Sequence, residues 1–588
     1  MTLLTGLLAL VQTCFIPGAI LSILLVRETR VRELLPAAFA LSLVVNWITV
    51  FLAVKLGVFS TYYFWFLFVL ETSALLYVLA NHRKVNGVPL GKTISPLSAV
   101  SALSLMAVVL AFLVVLFRVG QVFTQSDAVL SWNRWASVWG QNRIPVDTYY
   151  YPQLLPANYS ISYVMTGMPG IQFFAFAITL FFLPLACFAL YNLARRIDDP
   201  RIHLANVFFL FYIIFIGQAA AGYADVPVAC MAVFSICLFV QGWVRTRQKP
   251  AQAASLIFLS SIVAAGAAAT KQAGVFFAVL NLIGIGVWMR KNADVLNFHR
   301  ILFWAGLLST HVIIYGLWYF QANYNIRLGL GGSEIAWLTQ GIHQGRGYGA
   351  RLADAFSNWP QFFVMAALAL PALREKNYRW AALAGLVFLT VWALFFSYDR
   401  RNFAMGIPFL ALASGAAWIS VAQRIPKIPV PAGFMGRAIS IRGLLVVCCL
   451  VLVASALVPD SLLTRLQQAQ QRKAAKAEVM LALSDAVKKY GVGKILTNYD
   501  LLPYALGIQG QKDKITFVPI TQHPDNATYF STLVSEARPA YVITRNRLIS
   551  EDVRLQISRM EQAGSLLHLQ SDNKKDYSLY LARSANTP

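Results

Sequence analysis

Charged side chains are scarce in this chain: Asp, Glu, Lys and Arg make up 13% of its 588 residues, against 58% hydrophobic residues. That deficit excludes an ordinary soluble domain, in which about a quarter of residues are charged. Acids are the scarcer sign, 25 Asp and Glu against 49 Lys and Arg, so the formal net charge is +24. Such a balance would suit a nucleic-acid partner, but in a membrane protein Lys and Arg collect in cytoplasmic loops, and no nucleic acid is expected. Cysteine is rare as well. Cys14, Cys187, Cys230, Cys237, Cys448 and Cys449 all fall within apolar segments, where the thiol behaves as a small hydrophobe, so neither a disulfide framework nor a zinc site is expected. The opening MTLLTGLLALV has no charged n-region, so its apolar stretch is expected to stay as a first membrane helix.

Long apolar runs are what the chain has in abundance. Leu97 to Phe117 and Ile301 to Phe320 are two of them. At about 1.5 Å per residue each can cross a hydrocarbon core of about 30 Å. Hydropathy predicts about fourteen spans, at 3–25, 35–56, 60–81, 97–118, 168–191, 204–220, 225–244, 253–269, 273–290, 301–320, 360–373, 379–397, 403–423 and 443–459. Basic clusters fall in every second loop: Arg27/Arg30/Arg32, Arg83/Lys84/Lys92, Arg195/Arg196/Arg201, Arg245/Arg247/Lys249, Arg290/Lys291/Arg300, Arg374/Lys376/Arg379 and Arg424/Lys427/Arg437/Arg442. Those loops are expected in the cytoplasm.

The alternate connections then face outward: 119–167, the turn 221–224, the turn near Lys271, 321–359, the turn 397–402, and everything after 460. Outward loops should be poor in Lys and Arg, yet Asp127, Asp225, Lys271, Arg400 and Arg401 all come to this side. A charge at the membrane boundary is costly to desolvate and persists where it has a partner or a task, although an arginine at a helix end can also merely snorkel. The loop SDAVLSWNRWASVWGQNRIPVDTYYYPQLLPANYS (126–160) is the richest in aromatic and polar residues. Trp132, Trp135 and Trp139 recur at spacings of three and four, which puts them on one helix face. Two readings stay open for them: a helix lying in the headgroups, or an aromatic surface suited to sugar rings. Glu71, inside the third span, is assigned no role.

After Pro459 the composition turns polar. Gln467 to Lys489 reads as a helix, and strand-like runs at 494–498, 515–520, 540–545, 565–570 and 577–583 alternate with helical stretches at 525–537 and 551–562. That rhythm predicts a small α/β sheet ending in a hairpin. It carries no GxGxxG and no P-loop, so a docking or structural role is expected.

Taken in order, an acidic residue early in the first large outward loop (SDAVLSWNRWA), a Tyr-Pro/Leu-Pro stretch later in it (YYYPQLLPANYS), an acid in a later turn (GYADVPVA), a basic and aromatic turn before a late helix (YDRRNFAMGIPFLA) and a C-terminal outward domain resemble the GT-C superfamily of polytopic membrane glycosyltransferases. This superfamily uses polyprenyl-phosphate-linked sugars and includes the protein O-mannosyltransferases and the lipid A aminoarabinose transferases. The resemblance covers the chain from about residue 97 to the end, so 1–96 reads as three additional membrane helices, 97–459 as the catalytic core and 460–588 as a periplasmic domain. It implies inverting transfer of a hexosyl or pentosyl group, at the periplasmic face of a bacterial inner membrane, to a glycolipid, polysaccharide or protein acceptor.

Within that resemblance Asp127 is the base for the acceptor hydroxyl. Arg400 and Arg401 are the clamp on the departing phosphate, Arg401 somewhat preferred, with Lys271 as a third cation. Asp225 binds a sugar hydroxyl or orients one of these cations, and Trp132, Arg134, Trp135, Tyr151 and Tyr398 are substrate-binding candidates. No cofactor is expected. Early in the first loop Asp127 stands alone where relatives have a paired acidic motif, a ligand count that does not support a divalent metal. An O-antigen polymerase or ligase is the nearest alternative enzyme, since it too places arginines beside a lipid-linked glycan. A lipid-linked glycan transporter or flippase is the rival from another class, although neither paired broken helices nor an inverted repeat is evident.

Overall fold

Proline, glycine and small polar residues punctuate the apolar runs, and the helices start and stop at them. The computed structural model describes residues 2–26, 31–85, 98–293 apart from 119, 121, 124, 126–127, 146–147, 149, 169–170, 218 and 220, then 300–327 and 347–424 apart from 398. It also describes parts of 478–582, including 495–497, 515–517, 540–546, 551–571 and 577–582.

The first apolar run, expected as one span, is one, Thr2–Leu25, made of two successive helices, α1 (Thr2–Cys14) and α2 (Ile16–Leu25), with Pro17 in the first turn of α2, where its missing N–H costs nothing. α3 (Val31–Lys55), α4 (Thr61–Val85) and α5 (Ala99–Leu116) follow, α5 opening where the Ser98 hydroxyl accepts from the Ser101 N–H.

The stretch expected as an outward loop is largely helical. It holds a π-helical turn (Ala128–Asn133), α6 (Arg134–Gly140) and α7 (Leu154–Thr166). Trp132, Trp135 and Trp139 are 4%, 2% and 0% exposed, so the headgroup reading fails: these rings are core. α6 packs on α7, whose residues from Leu154 to Met165 are all buried.

The bundle continues with α8 (Phe173–Ala177), α9 (Thr179–Ile197), α10 (Pro200–Ile216), α11 (Asp225–Arg245), α12 (Pro250–Thr270), α13 (Gly274–Lys291) and α14 (Arg300–Arg327). α10 starts where Asp199 accepts from the Arg201 N–H and Pro200 presets the first turn. α12 ends in the small-residue run Ala264 to Ala269, every residue of it buried, which lets α11 and α3 approach closely; without water to drive helices together, such close packing is what holds them in lipid. α15 (Tyr348–Asn358), α16 (Pro360–Ala369), α17 (Arg379–Phe395) and α18 (Ile407–Arg424) complete the described bundle, and a 3₁₀ turn, Arg400–Gly406, leads into α18. Among the described residues ten helices are long and apolar enough to cross a membrane, and the apolar helices at 200–216, 360–374 and 379–395 are shorter. The span expected at 443–459 lies outside the described residues. α4 presents Tyr62, Phe66, Val69, Leu70 and Leu76 to its surroundings, an apolar face suited to lipid and not to water.

The expected alternation of ends holds among the described helices. Arg196 with Glu33, Arg201 with Glu375 (3.7 Å) and the Tyr378 hydroxyl on Asp199 (2.7 Å) gather at one end. Thr61 on the Val164 carbonyl, Trp359 on the Ser397 carbonyl and Lys271 on Asn402 mark the other. Glu71 accepts from the Gln12 amide (2.5 Å), which ties α4 to α1.

The described residues of the C-terminal region form a five-stranded sheet, as the alternating pattern predicts. Its strands are β1 (Ile495–Thr497), β2 (Ile515–Phe517), β3 (Tyr541–Arg545), β4 (Leu566–Ser571) and β5 (Tyr577–Ala582), in the order β2-β1-β3-β5-β4. β2, β1 and β3 run parallel, with Ile495 opposite both Ile515 and Tyr541, and the β4–β5 hairpin is antiparallel. α19 (Glu551–Gln562) buries Val553 and Ile557 against this sheet beside Leu496 and Val542.

Candidate active site

Three turns, far apart in sequence, meet at the end of the bundle marked by Lys271. The first precedes Asp225, the opening residue of α11, which is 4% exposed. The second is at Lys271, where α12 gives way to extended backbone. The third is the Asp399–Asn402 turn, in which Asp399 caps the 3₁₀ turn by accepting from the Arg401 N–H at 3.0 Å. The Lys271 ammonium donates to the Asp225 carboxylate and, at 3.1 Å, to the Asn402 side-chain oxygen. A carboxylate and an ammonium this buried are tolerable because each satisfies the other. Asp225 is thus paired with Lys271.

Arg401 is held twice. Its Nε donates to Asp399 Oδ2 at 2.5 Å, and its guanidinium lies 4.5 Å from the Tyr223 ring centre. Arg400 extends the other way. Its guanidinium sits 5.8 Å from the Trp359 ring on one side and against Gly217 on the other. Gly217 ends α10 in the left-handed conformation (φ +75°), and a Cβ there would stand 3.2 Å from Arg400 Nη2. The same glycine meets Arg118, just past the end of α5, whose Nη1 donates to the Gly217 carbonyl at 2.5 Å. Four cations thus gather beside two described carboxylates, Asp225 and Asp399. Cations gathered in a setting of reduced dielectric are suited to an anion.

Beside these turns is an aromatic cluster: Trp132 and Trp135 meet edge to face at 5.4 Å, and Tyr151 lies 5.8 Å from the first and 5.9 Å from the second. The Tyr150 carbonyl, next in chain, accepts from Gln272 (3.1 Å) and from the Trp318 indole (2.9 Å), so the loop is tied to the Lys271 turn. Tyr151 keeps part of its surface exposed, whereas Trp132 and Trp135 have theirs covered by protein. Arg134 opens α6 half-buried.

Asp127 and Tyr398 lie outside the described residues. Asp127's neighbour Ala128 is fully buried and packs, with Phe123, against Gly222 in the turn before Asp225. Among the described residues no three of His, Cys, Asp and Glu gather as a metal site, and the carboxylates of Asp225 and Asp399 are each matched by a cation.

Sequence reasoning passed over Arg118, Tyr223, Asp399 and Asn402. The last two stand in the YDRRN motif, and a carboxylate two residues before an arginine, at the start of a turn, is a legible capping signal.

No family model matches the chain, and no curated protein does. Among solved structures the chain is similar to ArnT from Cupriavidus metallidurans in the apo state, with 15% identity over 82% of this chain and 98% of that one and a TM-score of 0.46. For the same enzyme bound to undecaprenyl phosphate the values are 14%, 83%, 98% and 0.41. For the archaeal oligosaccharyltransferase AglB from Archaeoglobus fulgidus, in complex with an inhibitory peptide and a dolichol-phosphate, they are 12%, 82%, 75% and 0.37. These similarities are low, and the grounds for a function lie in the side chains gathered at Gly217 and Lys271.

Proposed function

We propose that the chain is an inverting glycosyltransferase of the GT-C type, moving a sugar from a polyprenyl-phosphate donor to an acceptor hydroxyl at the outer face of a bacterial inner membrane. One observation carries this reading: Arg118, Lys271, Arg400 and Arg401 come together at one end of a membrane bundle, against two described carboxylates. A phosphate anchored by its lipid tail meets the protein at such a boundary, and fixed cations there would stabilise the charge that develops as the sugar leaves.

In the proposed reaction the acceptor oxygen attacks the anomeric carbon and gives its proton to the Asp127 carboxylate. The bond from that carbon to the phosphate oxygen breaks, with its electron pair leaving on the phosphate. Phosphate is a good leaving group, so a proton donor on that side is not required. A single displacement inverts the anomeric centre. Asp399 and Asp225 set the positions of Arg401 and Lys271 rather than touching the sugar. Tyr151, with Trp132 and Trp135 behind it, is the surface offered to a sugar ring.

The test is transfer from a polyprenyl-phosphate sugar by the purified protein, after comparison of lipid-linked sugars in cells with and without it identifies the donor. Asp127→Asn keeps size but loses basicity, so turnover should fall by about 10²-fold or more while donor affinity survives. Near-normal turnover in that variant would remove Asp127 from the mechanism. Reversible loss of activity on chelation would instead place a metal in it.

A further inference from the structure

We propose that Arg118 and Arg400, both beside Gly217, grip one phosphate group together, so that Arg118 is a further binding residue for the lipid phosphate. The inference rests on the reading of this end of the bundle as a lipid-phosphate site, and deepens it.

Both guanidinium groups lie against one residue. Arg118 Nη1 is 2.5 Å from the Gly217 carbonyl and 3.5 Å from that of Ala219, and Arg400 Nη2 is within 3.2 Å of the place a Gly217 side chain would take. The two are close enough for their charges to oppose each other. Among the described residues no carboxylate pairs with Arg118, and its Nε is buried without a hydrogen-bond partner. A buried guanidinium N–H left unmade is costly, and two like charges brought together near a membrane boundary add to that cost. An anion with several acceptor oxygens removes both penalties at once. A phosphate, with three oxygens spread around phosphorus, offers separate ones to two planar forks. The carbonyls of Gly217 and Ala219 fix the Arg118 side chain on one side, which preorients the remaining N–H groups. Neither sequence neighbours nor helix periodicity relate Arg118 to Arg400; the left-handed turn at Gly217 brings them together.

The experiment measures affinity of the full-length protein in lipid nanodiscs for polyprenyl phosphate without a sugar, for phosphatidylglycerol and for inorganic pyrophosphate. It compares wild type with Arg118→Lys, Arg118→Gln and Arg400→Gln. Arg118→Lys keeps the charge and one donor for the Gly217 carbonyl, so it guards against a variant that fails to fold. Loss of the fork should weaken polyprenyl phosphate about tenfold or more in Arg118→Lys. Arg118→Gln combined with Arg400→Gln should lose less than the two single effects summed, because both act on one ligand. Wild-type affinity for polyprenyl phosphate in Arg118→Lys and in folded Arg118→Gln would overturn the inference. Equal weakening for phosphatidylglycerol would also overturn it, since the pair would then hold any headgroup phosphate. Binding of pyrophosphate but not of polyprenyl phosphate would assign the pair to a free anion and sink the lipid assignment. Sugar transfer is not part of this measurement. An absence of transfer in the wild type with every donor tried would count against the enzymatic reading while leaving the phosphate grip intact.

Discussion

At the scale of single residues the Asp225–Lys271 pair is the most exposed to test. Their side chains are 5% and 14% exposed, so removing one partner strands the other in a poorly solvated place. Breaking such a pair costs about 3–5 kcal/mol, whereas replacing both members by neutral groups is often nearly free. Asp225→Asn should therefore destabilise the protein by that amount in equilibrium unfolding from mixed micelles, and adding Lys271→Met should recover most of it. An unchanged unfolding midpoint in Asp225→Asn would show that the pair holds nothing together. Both residues are legible in the sequence as charges at a membrane boundary. Their partnership is not, because it spans 46 positions and depends on how α11 and α12 fold back on each other. Arg118 is harder still. In the sequence it is an arginine at the end of an apolar run, which snorkelling explains in full.

At the scale of elements, the C-terminus of α10 connects backbone geometry to the site. Gly217→Ala forces a side chain into φ +75° and pushes it to 3.2 Å from Arg400 Nη2. The backbone strain alone is worth about 1–2 kcal/mol. Gly167 ends α7 in a similar conformation (φ +64°) but has nothing within 4 Å of its would-be Cβ, so it isolates the strain. Both alanine variants should lose comparable stability, and only Gly217→Ala should also weaken polyprenyl-phosphate binding. Equal binding in the two would disconnect the α10 turn from the phosphate. The helices themselves follow from apolar runs and caps such as Asp199-Pro200. The burial of α6 and α7 does not, because a Trp stripe at helical spacing suits a headgroup surface as well as a core, and only the packing of α7 on α1, α3 and α6 distinguishes them.

At the scale of the whole molecule the question is which end faces outward. The basic clusters at the ends of α9, α11, α13 and α17 predict that their end is cytoplasmic and that the site is not. With all six native cysteines replaced, new ones at exposed positions report cleanly. In intact cells an impermeant thiol reagent should label Arg143→Cys and Arg554→Cys, and should label Gln248→Cys only after lysis. Labelling of Gln248→Cys in intact cells with protection of Arg143→Cys would invert the arrangement and take the proposed outer-face chemistry with it.

The sequence by itself determined the solvent, the alternation of helix ends and the strands with the final hairpin of the C-terminal sheet, because each is a local property: the length of an apolar run, the side on which Lys and Arg collect, the period of a strand. It also brought forward Asp225, Lys271, Arg400 and Arg401 by type and sidedness. Tertiary structure alone decided that Lys271 is committed to Asp225 and Asn402, that Arg401 lies against the Tyr223 ring, that the tryptophans of the first long connection are core, and that Arg118 meets Arg400 at Gly217. Each of these depends on the distance between residues tens to hundreds of positions apart, which is set by helix packing and which no local pattern encodes.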